Sequence, residues 1–79
     1  MTIEEFNGLN EETKRILLFE ADKVSECTND FEKFELFYIK DFFIETKTSI
    51  RYKFKRCIET YTLNTLPLMY SAEVQLRLI

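Results

Sequence analysis

Two textures of hydrophobic and polar positions divide the chain. Up to about Asp22 the apolar residues recur with a period near 3.6. Leu17 and Ala21, continued to Val24 and flanked by Ile16 and Leu18, mark one helical stripe. The stripe has a start signal: the Asn10 side chain can accept an orphan N–H, and Glu11 and Glu12 put acids where the helix dipole is positive. A shorter helical turn precedes it, because Thr2-Ile3-Glu4-Glu5 has the spacing of a capping box and Asn7-Gly8 then breaks the helix.

From Lys23 to about Thr62 the pattern alternates and fills with aromatic and β-branched residues, as strands do. Strands are predicted over residues 24–28, 31–40, 42–48 and 52–60, with turn signals at Asn29-Asp30 and Lys40-Asp41. Connections this short join antiparallel neighbours, since parallel strands need a crossover. Phe31, Phe34, Tyr38 and Phe42 also fall at helical spacing. In a helix, however, Phe37, Ile39, Phe43 and Ile44 would spread apolar surface around the whole circumference, which a small bundle could not bury. After Leu63, Asn64 or Thr65 can cap a last helix with Pro67 in its first turn, where the missing N–H costs nothing. There Leu66, Tyr70 and Val74 recur every fourth residue, with Met69, Ala72 and Leu76 on the adjoining stripe. The expectation is a single α+β domain over residues 1–79: a four-stranded antiparallel β-meander with an N-terminal and a C-terminal helix packed on one face.

Alternation also sorts side chains onto faces. One face is expected to gather Phe34, Leu36, Tyr38, Phe42, Ile44 and Ile58 beneath both helices. The other would hold Phe31, Phe37, Ile39 and Phe43 among Lys33, Glu35, Glu45 and Lys47. With helices on one side only, Phe37, Ile39 and Phe43 would form an exposed apolar patch, unless the C-terminal residues 76–79 folded back over it. Such a patch suits a protein partner or a second copy of the chain, so these three residues are the expected partner-binding site. A basic stretch offers the alternative. Arg51, Lys53, Lys55 and Arg56 interleave with Tyr52 and Phe54, which on one strand would combine phosphate neutralisation with stacking on nucleobases. The same alternation fits a solvated strand paired with Glu26, Glu32 or Glu35.

Composition narrows the chemistry. Hydrophobic residues make up 46% of the 79 and aromatic residues 15%, with eight Phe and no Trp, so the chain should fold, and so short a chain leaves some apolar surface uncovered. The net charge of −3 hides a gradient: residues 1–35 carry four bases against ten acids, and residues 36–79 carry seven bases against four acids. The halves attract, and the acidic total disfavours phosphate ligands. There is no histidine, which excludes a serine-histidine relay and leaves two cysteines short of a zinc site. Asp41 and Glu45 flank the aromatic run as the most suggestive carboxylates, but ordinary turn and surface roles suit them better, so no catalytic residue, metal or cofactor is expected. Cys27 and Cys57 are expected to be reduced, and their spacing leaves pairing open. The opening residues lack the bases and apolar stretch of a secretory signal, and no apolar run reaches the ~18 residues of a membrane span, so a cytoplasmic protein is expected.

The run Phe37-Tyr38-Ile39-Lys40-Asp41-Phe42-Phe43-Ile44-Glu45 resembles a family of short bacterial proteins built as helix, β-meander and closing helix. The resemblance extends more loosely to Lys14-Arg15-Ile16-Leu17-Leu18 and to Ile58-Glu59-Thr60-Tyr61 with the helix after it. It implies a fold and no activity. The chain departs from that family in lacking a Pro/Gly-rich turn around Thr48-Ser49-Ile50, which leaves the register of the hairpin near Thr48 to Arg51 open.

Overall fold

The computed structural model describes residues 1–71 and 74. Thr2 caps the first helix, α1 (Ile3–Asn7), through a complete capping box: the Glu5 N–H donates to Thr2 Oγ1 at 3.1 Å and the Thr2 N–H to Glu5 Oε1 at 2.9 Å. Asn10 caps α2 (Glu11–Leu17) by accepting from the Thr13 N–H at 2.8 Å. The helix is shorter than its apolar stripe, because a 3-10 turn (Leu18–Glu20) tightens its end before the chain extends at Ala21. Four strands come next: β1 (Asp22–Thr28), β2 (Glu32–Ile39), β3 (Phe42–Ser49) and β4 (Lys55–Tyr61). They pair antiparallel in chain order and form an open sheet. A second 3-10 turn (Leu63–Thr65) leads to helical residues 68–71 and 74, here α3, whose first turn closes with Pro67 accepting from the Tyr70 N–H at 3.0 Å. The architecture is therefore α+β, a β-meander with helices at both ends. Among the described residues no helix is long and apolar enough to cross a membrane.

The helices do not share a face of the sheet, contrary to the expectation from alternation. Lys40 and Asp41 make a two-residue turn, Lys40 with a φ of 59°, and this pairs Ile39 with Phe42, Tyr38 with Phe43 and Leu36 with Glu45. Directly opposed residues point to the same side, so even-numbered residues of β2 share a face with odd-numbered residues of β3. One face therefore carries Leu36, Tyr38, Phe43 and Tyr61 with Val24, and packs against Leu66, Tyr70 and Val74. The opposite face carries Ile39, Phe42 and Ile44, and packs against Phe6, Ile3, Leu9, Leu17 and Leu18. Phe42 and Ile44 thus lie across the sheet from Leu36 and Tyr38 rather than beside them. The N-terminal helices cover one side and α3 the other, which buries both sides of the half of β2 and β3 nearest the Lys40-Asp41 turn. Ala72 and residues 76–79, including the tail that could have served as a cover, lie outside the described residues.

Two bulges shape the outer strands. An extra residue, Val24, interrupts the pairing of β1 with β2 between Lys23 and Ser25, and the pairing of β3 with β4 slips between Glu45 and Thr46. The hairpin near Thr48 to Arg51 turns through the five residues 50–54. The Lys53 N–H donates to the Ser49 carbonyl at 2.8 Å, the Ser49 N–H to the Phe54 carbonyl at 3.0 Å, and Lys53 has a φ of 58°. The fourth strand therefore starts at Lys55, three residues later than the alternation predicts, because Tyr52, Lys53 and Phe54 are spent on the return.

Cover on both sides has a direct check. Phe42 and Phe43 are neighbours that point to opposite faces, and each is 1% exposed. Truncating either to alanine is expected to cost about 3–5 kcal/mol in denaturant unfolding. In a sheet covered on one side only, one of the two would be nearly silent.

Candidate functional site

The three aromatic-face residues do not form one open surface. Phe37, Ile39 and Phe43 are 8%, 7% and 1% exposed. Phe43 lies beneath α3, whereas Ile39 packs under the N-terminal helices and Phe37 lies on that same side, by register. The corrected parity is the cause, since it gives each side of the sheet its own helical cover. Of the three, Phe37 lines a cleft between α2 and the sheet, and Ile39 borders a separate hollow with Glu20, Asp22, Tyr38 and Lys40.

The basic stretch is likewise divided. Arg51 and Lys53 belong to the β3–β4 loop, where Arg51 stacks over Tyr52 at 5.5 Å from the ring centre. Arg56 pairs with Lys47 on the α3 side of the sheet, and Lys55 points to the other side. There Lys55 Nζ lies 3.1 Å from Glu35 Oε1 and 5.4 Å from the centre of the Phe37 ring. Glu35 is almost wholly buried and draws in three lysines, with Lys23 at 3.5 Å and Lys33 at 4.0 Å besides Lys55. Lys23 is also tied to Glu26 at 2.7 Å, which holds its ammonium above the ordinary lysine range. Lys47 pairs with Glu32 at 3.2 Å. Basic residues of β3 and β4 thus meet acids of β2, as the charge gradient suggested.

The two carboxylates singled out by sequence are not brought together. Asp41 is an exposed turn residue, while Glu45 is buried on the α3 side. Glu45 Oε1 accepts from the Tyr61 hydroxyl at 2.8 Å, and Oε2 from the Tyr70 hydroxyl at 2.5 Å. Each oxygen therefore has a donor, and the group ties α3 to the sheet. Burial, reinforced by the neighbouring Glu45 carboxylate, pushes both tyrosines well above the usual phenol range. Among the described residues no three His, Cys, Asp or Glu side chains are grouped to hold a metal ion.

Cys27 is exposed on β1 and Cys57 half-buried on β4, both free, and β1 and β4 are the opposite edges of the sheet. The two thiols cannot meet within one chain. Burial, and then the Glu11 carboxylate, pushes the Cys57 thiol up to about 11.

The most developed concavity lies between α2 and the sheet. This cleft of about 540 Å³ is lined by Glu12, Arg15, Ile16, Leu18 and Phe19 from α2 and the turn after it, and by Phe37 and Lys55 from the sheet. Its size falls in the range of ordinary ligand and side-chain pockets. Phe19 at its border is 90% exposed, and Ile16 is 57% exposed. Arg15 also stacks over the exposed ring of Phe54 at 5.9 Å. Sequence reasoning missed this site because it followed the buried stripe alone. Phe19 falls off the stripe that Leu17 and Ala21 continue, in the 3-10 turn after α2, so a large ring left uncovered at the helix end went uncounted. A second apolar hollow, bordered by Phe31, Ile50, Arg51 and Tyr52, lies between the β1–β2 and β3–β4 loops.

No protein family matches the chain, and comparison with curated proteins and with solved structures finds nothing similar. The functional reading therefore rests on geometry.

Two measurements bear on these groups. A phenol whose proton is held more tightly in the folded state contributes stability that persists below the unfolded tyrosine value, near pH 10, and is lost as pH rises beyond it. Stability is expected to fall above that pH, and Tyr70→Phe should flatten the fall. At neutral pH the same variant should cost about 1–3 kcal/mol, because Glu45 loses a buried donor. In a thiol-labelling time course under native conditions, Cys27 should react fast and Cys57 slowly. Equal rates would contradict the burial of Cys57.

Proposed function

We propose that this chain is a non-enzymatic protein-interaction module that receives its partner in the cleft between α2 and the sheet. The observation that carries the reading is the exposed ring of Phe19 at the border of the cleft, one residue beyond Leu18, which packs into the core. A phenyl ring left in water forgoes roughly 1.5–3 kcal/mol of burial, and here a second apolar side chain, Ile16, stands exposed beside it. An apolar centre with charged groups at its border is the usual layout of a protein-docking site, where a few large anchors dominate the binding energy. The absence of histidine and the separation of Asp41 from Glu45 support a role without catalysis. The reading keeps Phe37 from the aromatic face as part of the cleft and moves the anchors to the helical side.

Site-specific photo-crosslinking tests this. A benzophenone amino acid in place of Phe19 is expected to give light-dependent protein adducts in cells, whereas the same group in place of exposed Asn64, on the turn after β4, should give none. Adducts at neither position, or equally at both, would remove the proposal.

A further inference from the structure

We infer that the occupant of this cleft is a second copy of the chain, related by a twofold axis, with Phe19 of each protomer seated in the cleft of the other. The inference rests on the docking role proposed above and names the partner for it.

Shape is the first argument. A twofold interface brings the same patch of both molecules together, so that patch must be complementary to itself. Here a protruding ring and an apolar hollow lie side by side: Phe19 is 90% exposed, and the cleft it borders has about 540 Å³ with Ile16 and Phe37 in its lining. Rotation about an axis between ring and hollow puts each ring over the other molecule's hollow. Each copy would thus bury one large anchor, two in the dimer.

Charge is the second argument. A rim of a single sign would repel its own copy, whereas this one carries Glu12 and Arg15 almost one turn apart on α2 with Lys55 facing them from β4. With the two α2 helices antiparallel across the axis, Glu12 of each copy meets Arg15 of the other. Within its own chain Arg15 makes a long contact to Glu11, 3.8 Å, between two exposed groups, and lies over the exposed Phe54 ring at 5.9 Å from its centre. Two contacts of this kind between exposed groups hold a guanidinium weakly and leave it able to turn to a partner. Lys55, by contrast, is fixed by the buried Glu35 and forms part of the wall.

Sedimentation equilibrium over a concentration series tests the inference, with circular dichroism and the thermal midpoint as controls for folding. The wild-type chain is expected to show a reversible monomer–dimer equilibrium. Phe19→Lys should weaken it by roughly thirtyfold or more, the effect of losing a central anchor, with the fold intact because the ring is exposed. Glu12→Arg and Arg15→Glu should each weaken self-association. An equimolar mixture of the two variants should then recover it, because one copy offers two cations at these positions and the other two anions. A wild-type chain monomeric throughout, a dimer indifferent to Phe19→Lys, or a mixture no stronger than its components would overturn the inference. If the chain is monomeric while the crosslinker at position 19 still captures another protein, the second copy is refuted and the docking role stands. If it is monomeric and nothing is captured, both fall.

Discussion

The pairing of Ile39 with Phe42 across a two-residue turn governs this molecule. Period-two alternation gives each strand two sides, but only the turn decides which side of β2 continues into which side of β3. With Lys40 in the left-handed region and the chain reversing over two residues, odd positions of β2 join even positions of β3. Leu36 and Phe43 thereby fall on one side, and Ile39, Phe42 and Ile44 on the other. Each set is too small to be a core alone. Each becomes one because the chain returns helices to both sides.

The two covers are held by different physics. On the N-terminal side the cover is apolar: Phe6 is buried against Phe42 with ring centres 5.8 Å apart, and Leu17 and Leu18 extend the contact. On the C-terminal side a buried carboxylate sits among the apolar contacts, with Glu45 accepting from tyrosines on β4 and α3. A carboxylate inside a small protein is tolerable only when its oxygens are engaged, and both are. Where neither helix reaches, Glu35 performs a related task by drawing three lysine side chains onto the sheet. The stems of those lysines are apolar, so charged residues stand in for a missing stretch of cover.

Much of this was legible in the sequence. The caps at Thr2 and Asn10, the four strands, the meander order and the packing of Leu66, Tyr70 and Val74 all arise from local patterns whose physics is local. What failed depended on how one element meets another. Alternation alone misassigns the faces, because it carries parity through the Lys40-Asp41 turn without counting its two residues. It also starts β4 at Tyr52, because the loop contains aromatic and basic residues that alternate like a strand, and only the backbone bonds of Ser49 show them to be a return. The proposed contact surface moved for a similar reason. Phe37, Ile39 and Phe43 are sticky residues that the fold consumes, while Phe19 stands outside the core stripe and passes as part of a helix end.

The placement of α1 and α2 against β4 also bears on how the sheet ends. An outer strand offers unpaired backbone groups to any extended chain, and an open four-stranded sheet has two such margins. On the β4 margin the Cys57 N–H is taken by the Glu11 carboxylate at 3.4 Å, and Asn7 bonds the Thr60 side chain at 3.3 Å, so the helical cap also serves as a bookend. On the β1 margin no helix intervenes among the described residues, but the bulge at Val24 interrupts the ladder and the Lys23–Glu26 pair crowds it with charge. A polypeptide this rich in β-forming residues would otherwise be a template for fibrils. Guarding both margins keeps the hydrogen-bonded ladder from being extended by a foreign backbone.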